Sequence, residues 1–447
     1  MHRHRVSSFV ALLGIAALSY LVGVVVMFFQ LPSSDFLGKA LLGVREWYDP
    51  HSHPNAKPAA APPAEQTSAP AATSVDRPSE TFDGFTLCTY FGPKQPEAEA
   101  ILMNMRREVV HRWAVPFSRA YPNPTHLPTR LPDSFVWFRN AYVYPNGDLL
   151  VVYHGRTLTG AGLAKIDKDS NVLWAFPGAV HHDVDVAQDG TIYALCHQLI
   201  DRLPAGLERI DVPTVLDLLV VLSPDGQSLR DPIPLLVALR DSGYAPVLDV
   251  LKWPTKRFVP PEEATVAAVD RFVPNRVLHS NSVRVLKSDL APKFPNFKAG
   301  DVLISLRDVS TIMMIDPESR KVEWAAQGIW YAQHDAQFLN DGHLLLFDNL
   351  GSPHGSRVLE FDPQTGRFPW WYPGEKQRPF YTSECGMCQR LPNGNTLIAN
   401  YEGGEVLEVT RDKKIVWTLR VDSLVSSARR YSAEELPFLG GEVRARP

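Results

Sequence analysis

Four stretches of the chain share one pattern: Pro145-Asn146-Gly147-Asp148-Leu149-Leu150-Val151-Val152, Gln188-Asp189-Gly190-Thr191-Ile192-Tyr193-Ala194-Leu195, Asn340-Asp341-Gly342-His343-Leu344-Leu345-Leu346-Phe347 and Pro392-Asn393-Gly394-Asn395-Thr396-Leu397-Ile398-Ala399. Each is an Asn-Gly or Asp-Gly pair running into an apolar strand. Such pairs accept the positive φ that tight hairpin turns demand. A second element recurs beside them: a strand, an acidic turn, and a strand ending in tryptophan. It occurs at 163–167 with Val172-Leu173-Trp174, at 313–317 with Val322-Glu323-Trp324, at 358–363 with Pro369-Trp370-Trp371, and at 406–409 with Ile415-Val416-Trp417; a degenerate copy lies at 220–226. Short strands grouped in fours, in repeating units of ~40–50 residues, mark a β-propeller. Five units fall near 135–176, 180–232, 279–326, 333–373 and 384–420. A sixth is expected from 82–130, closed by the other terminus. The segment 233–278 reads as an insertion carrying helix.

Composition agrees with an all-β reading. The chain has 447 residues, of which 38 are proline, and a formal net charge of −4. Near charge balance argues against a nucleic-acid partner, and four cysteines are too few to staple a chain of this size. Ahead of the propeller, residues 6–29 carry no charge and follow Arg3 and Arg5. A helix over them is long enough to span a bilayer. They exceed the usual apolar region of a cleaved signal peptide and lack a small-x-small site after them. The expected layout is a cytoplasmic stub and transmembrane anchor over 1–30, a juxtamembrane segment and Pro/Ala-rich linker over 31–80, and the propeller over 81–447. Basic residues before the anchor put the N-terminus in the cytoplasm and the propeller on the outer side of the membrane.

The first strand of each propeller blade lines the central channel, so positions just before the repeated turns converge there. Eight residues before the turn glycine stand Arg139, His182, His334 and Gly386, the last beside Cys385. His279-Ser280-Asn281 aligns with His182-Asp183-Val184 and His334-Asp335-Ala336, so three blades offer a histidine at one repeat position. Three imidazoles suit zinc or copper; they equally suit nucleophilic and acid/base work on an anionic substrate. Arg307, in the otherwise apolar run Ile304-Ser305-Leu306-Arg307-Asp308, needs an anionic partner, and with Asn281 nearby favours an oxyanion site over a metal. Pairing with Asp308 or Asp335 is the alternative. Trp137, Phe138, Trp330 and Tyr331 are aromatics near the channel that either stack on a ring or pack the blades. Cys385-Gly386-Met387-Cys388 is followed by Gln389, which excludes covalent haem and leaves a short-loop disulfide, two free thiols or a metal site.

The sequences HHDVDVAQDGTIYAL, HSNSV, LISLRD, QHDAQFLNDGHLLLFDN and QRLPNGNTLIANYEGGEVLEV, in that order over 135–420, resemble those of the bacterial arylsulfate sulfotransferases. The resemblance implies a six-bladed propeller working outside the cytoplasm. It implies transfer of a sulfuryl group from a phenolic sulfate donor to a phenol acceptor, with no cofactor, no metal and no nucleotide sulfate donor. Carried over by position, it makes His334 the histidine that becomes sulfated and sets His279, Asn281, Arg307 and His182, with the adjacent His181 as the alternative to His182, around it. Sulfuryl transfer spreads charge over non-bridging oxygens, so catalysis rests on positioning and cationic stabilisation. Against the enzyme stands a non-catalytic propeller, the scaffold or ligand-binding subunit of a membrane complex, since fold does not fix function.

Overall fold

A computed structural model describes residues 76–440, apart from 92–97, 128–129, 156–159, 209, 211, 251–274, 354 and 376–379. Among the described residues no helix is long and apolar enough to cross a membrane. The expected anchor and nearly all of the linker lie outside the described residues.

Six sheets follow one another along the chain. Blade 1 holds β1 (Phe85–Phe91), β2 (Glu99–Met103) and β3 (Val109–Ala114). Blade 2 holds β4 (Val136–Val143), β5 (Leu149–Gly155), β6 (Gly162–Ile166) and β7 (Val172–Phe176). Blade 3 is β8 (Ala179–Val186), β9 (Ile192–Ile200), β10 (Thr214–Leu222) and the short β11 (Ile233–Pro234), with β12 (Asn275–Arg276) added parallel to β10. Blade 4 is β13 (Ser280–Val285), β14 (Val302–Leu306), β15 (Thr311–Asp316) and β16 (Lys321–Gln327). Blade 5 is β17 (His334–Phe338), β18 (Leu344–Asp348), β19 (Arg357–Phe361) and β20 (Trp370–Tyr372). Blade 6 is β21 (Met387–Arg390), β22 (Thr396–Asn400), β23 (Glu405–Val409) and β24 (Ile415–Arg420). The last strand, β25 (Leu424–Tyr431), pairs antiparallel with β1 and completes blade 1 from the far end of the chain. The six-bladed architecture and the closure expected from the repeat are both present. A closed ring leaves no sheet in the channel with an unpaired innermost edge exposed to another chain.

A tryptophan of one blade meets a turn of the next. Trp113 of blade 1 donates its indole N–H to the carbonyl of Gly147, in the first turn of blade 2, at 3.0 Å. Trp370 of blade 5 does the same to Arg411 of blade 6 at 2.8 Å. Trp174 of blade 2 lies against Gly226 of blade 3, where a Cβ would come within 2.7 Å of the ring and φ is +81°. The tryptophan is therefore a wedge seated on the next blade's turn, and Gly226 both reverses the chain and makes room for Trp174. Middle strands are apolar on both faces because each sheet is sandwiched between two others; β14 and β18 are buried along their whole length. One core cluster runs through Leu150, Leu195 and Ile304 of three successive blades. The insertion after blade 3 begins as expected with a helix, α1 (Leu235–Asp241), whose Leu235, Leu236, Ala238 and Leu239 face the core.

Candidate functional site

Four of the innermost strands break register at the same level. Pairing slips between Phe138 and Asn140 on β4, between Val180 and Val184 on β8, between Ser280 and Ser282 on β13, and between His334 and Gln337 on β17. A bulge re-aims the side chains of its residues and is characteristic of strands beside active sites. The residues so released include Arg139, His182, Asn281 and Asp335. His182, His279, Asp335 and Cys385 also hold φ of 54°, 53°, 49° and 57°. Left-handed backbone at non-glycine residues costs on the order of 1–3 kcal/mol each and clusters at functional sites.

The bulges surround a cavity of about 300 Å³ lined by His182, His279, Arg307 and His334, together with Phe91, Trp137, Arg139, His154, Glu384, Cys385 and Tyr401. Four of the five residues expected at the site thus meet in one place. His334 is 3% exposed. Its Nδ1 lies 2.8 Å from Asn349 Oδ1 and 3.1 Å from the carbonyl of Ala332. The Asn349 amide is oriented by its own donors, since Nδ2 donates to the carbonyls of Thr382 and Cys385 at 3.0 and 2.9 Å. Both neighbours of Nδ1 are then acceptors, so Nδ1 carries the proton and Nε2 keeps the lone pair. Burial, with Arg307 and Arg139 close by, holds this imidazole well below the usual histidine range. The ring is neutral at pH 7 with a nucleophilic nitrogen left for the cavity.

His279 Nδ1 stands 3.5 Å from Asp308 Oδ1, and Arg307 Nη1 donates to the same oxygen at 2.7 Å. Arg307 Nη2 reaches the carbonyl of Ser383 at 3.3 Å. Of the two carboxylates weighed as partners for Arg307, Asp308 is the one it meets. His182 Nε2 is 3.4 Å from His279 Nε2, and its Nδ1 is 2.7 Å from Nδ1 of the fully buried His181. Burial, next to His181 and His279, holds His182 well below the usual range. His182 is the histidine in the cavity; His181 stacks on His197, ring centroids 3.4 Å apart.

Asn281 is placed differently. It does not line the cavity; its Nδ2 donates to the carbonyl of Gln333 at 2.8 Å and fixes the peptide just before His334. Of the four aromatics expected near the channel, Trp137 lines the cavity, with Phe91 4.0 Å from it between ring centroids. Phe138 and Trp330 are core residues, and Tyr331 is exposed. Cys385 and Cys388 are both free thiols, and burial raises the Cys385 thiol above its ordinary range.

Sequence reasoning missed a second polar layer across the channel. Arg284 of β13 donates Nη1 to Asp183 at 2.5 Å and Nη2 to Asp335 at 2.7 Å. Asn140 donates to Asp183 and Gln337 to Asp335, at 2.5 and 2.6 Å. These groups tie blades 2, 3, 4 and 5 together. On its far side, Arg284 lines another hollow of about 490 Å³ with Asp185, Lys287 and Arg429. The clue was present in the Asp that follows His182 and His334, but only the fold shows both aspartates meeting one arginine.

Residues 246–422, less than half of the chain, match the arylsulfotransferase (ASST) family model. No curated protein matches the chain. Among solved structures it is similar to a protein of unknown function from Bacteroides caccae, with 12% identity over 77% of this chain and 98% of that one and a TM-score of 0.47. It is similar also to virginiamycin B lyase from Staphylococcus aureus, at 11% identity over 76% and 89% with a TM-score of 0.39. The WD40 β-propeller domain of Doa1 gives 12% over 77% and 89%, with a TM-score of 0.39. The family match falls on the segment that carries His279, Arg307 and His334, within a propeller of six blades.

Proposed function

We propose that this protein moves a sulfuryl group from a phenolic sulfate ester to a phenol through a covalently sulfated His334. The observation that carries the reading is the neutral His334, its Nδ1 proton held by Asn349 and its Nε2 without a partner among the described residues, in a cavity with two arginines. Nε2 attacks sulfur, the bond from sulfur to the phenolic oxygen breaks, and the electron pair leaves with that oxygen. The sulfated ring gains positive charge, which the carbonyl oxygens of Asn349 and Ala332 stabilise at Nδ1. Arg307 takes the non-bridging oxygens. His279 gives a proton to the departing phenolate and takes one from the acceptor, with the Asp308 carboxylate beside it to offset the charge. The acceptor oxygen then attacks sulfur, the N–S bond breaks, and His334 is restored. Cys385 is a poor rival nucleophile, because burial keeps its thiol protonated.

In this reading the propeller works outside the cytoplasm, anchored by the apolar segment 6–29 behind Arg3 and Arg5. Protease shaving of intact spheroplasts checks this: the propeller should be lost while the N-terminus stays protected. The activity is tested with full-length protein, 4-nitrophenyl sulfate and excess phenol, with and without chelator, beside His334→Asn. Nitrophenol release that needs phenol and survives chelator is expected, with a fall on the order of 10³-fold or more in the variant. Loss on chelation would move the histidines to a metal site. No release from folded protein with a panel of phenols would favour the scaffold.

A further inference from the structure

Three arginines are buried among the described residues: Arg139, Arg284 and Arg430, at 5%, 9% and 2% exposure. Two have carboxylates, Arg284 in Asp183 and Asp335, and Arg430 in Glu408 at 3.2 Å. Arg139 has none within ion-pair distance among the described residues. Among the described residues its guanidinium makes one protein bond, from Nη1 to the carbonyl of Ser426 at 2.6 Å. Guanidinium carries five N–H donors, and Nε and Nη2 of Arg139 are not among the buried polar atoms shut off without a partner. They open onto the cavity that Arg139 lines. Glu384, which lines it as well, is exposed to water, and Asp308 is already engaged by Arg307 and His279. A buried cation left unpaired beside a cavity is prepared for an anion.

Its place in the ring says which anion. In a ring of six, blade 2 faces blade 5 across the channel, so Arg139 on β4 stands opposite His334 on β17. Attack by His334 Nε2 requires the leaving oxygen on the far side of sulfur, in line with the nitrogen. That direction leads to blade 2. Beside Arg139 the same side of the cavity is walled by Trp137 and by Phe91 of blade 1, a surface that suits an aromatic ring. Resting on the reading above, we propose that Arg139 is a catalytic residue that binds the phenolic oxygen. As the sulfur–oxygen bond breaks, the electron pair arriving on that oxygen meets the guanidinium. In the second half-reaction the same contact favours the acceptor as phenolate. Arg307 serves the sulfuryl oxygens, and Arg139 serves the bridging one.

The test compares full-length wild type, R139K and R139Q on aryl sulfates whose phenols grow less acidic, from 4-nitrophenyl to 4-chlorophenyl to phenyl sulfate. Melting temperature is recorded for each variant. Loss in kcat/KM for R139Q is expected to rise along the series, reaching on the order of 10²-fold for phenyl sulfate, with R139K between. A residue that only ties β4 to β25 through Ser426 would give the same loss on every donor. A uniform loss, or none, overturns the proposal. If R139Q does not fold, R139K carries the same comparison. A second measurement needs no turnover: bound 4-nitrophenol, followed at its phenolate absorbance, should ionise at lower pH on wild type than in solution, and that shift should shrink in R139K. Wild type that binds nitrophenol with unshifted ionisation sinks the role of Arg139. Wild type that shows the shift yet transfers no sulfuryl group leaves Arg139 as a phenolate-binding residue and sinks the transfer reading instead.

Discussion

Two arginines on innermost strands point into the same channel under opposite conditions. Arg284 lies between Asp183 and Asp335, each carboxylate also held by an amide side chain. Arg139 lies over an open cavity with a single backbone carbonyl. The first is a closed account of charge that ties blades together; the second is left open at the place where chemistry is proposed. Burial is nearly the same for both, so burial alone does not separate a structural cation from a functional one. What separates them is whether the protein already supplies the anion.

The comparison breaks most sharply at Arg284. Arg284→Met leaves the buried Asp183 without its cation and Asp335 with Arg429 alone, at 3.4 Å, and about 3–5 kcal/mol of stability should go with it, read as a drop in denaturant midpoint. Replacing Asp183 and Asp335 by leucine in the same protein should recover much of the loss. If Arg284→Met melts like wild type, the closed layer is not structural and the contrast fails. Next in size is the tautomer lock on the open side. Asn349→Leu removes the nearer of the two acceptors that keep the proton on Nδ1 of His334, and kcat should fall on the order of 10²-fold or more with KM little changed. An equal change in KM would mean that Asn349 shapes binding instead.

Smaller effects sharpen the picture of the cavity wall. Trp137→Leu should raise KM for aryl donors roughly 3- to 10-fold and leave the melting temperature near wild type, because Trp137 faces the cavity. The most gradual effect is on pH. His182 and His334 are held well below the usual histidine value by burial, with neighbouring cationic or titrating groups adding to it. Below about pH 6.5 the unfolded chain therefore binds protons that the folded one refuses, and stability must fall as pH falls. Thermal melts from pH 7 to pH 5 should show this decline, shallower in His182→Gln. A flat profile would mean that the two rings take up protons in the fold.

The fold was legible because each repeated signal has a single physical job. Asn-Gly and Asp-Gly make the hairpins, and the tryptophans seat on the next blade's turn, so blade boundaries could be read to within a few residues. Of the site, His182, His279, Arg307 and His334 were legible from repeat position. Arg139 stood in the same register and was passed over, because one arginine in a repeat of histidines looks like an exception until the bulge on β4 is seen. Asn349 carries no repeat signal; it follows β18 and meets His334 in an orientation set by contacts with Thr382 and Cys385, more than thirty residues away. Asp183, Arg284 and Asp335 were hidden for the same reason. Their partners lie 101 and 51 residues apart in sequence. Asn281 shows the converse error: correct neighbourhood, but turned to the peptide before His334 and away from the cavity.

The pairing of β25 with β1 has a consequence for how the protein comes to life during translation. The innermost strand of the first blade leaves the ribosome after every strand of the other five, and it brings Ser426, whose carbonyl holds Arg139. A nascent chain with five finished blades still lacks one wall of its cavity. A nonsense codon shortly before residue 424 would therefore be as damaging as one near the middle, although it spares every histidine of the site. It also keeps a reactive pocket from forming before all six blades have been made.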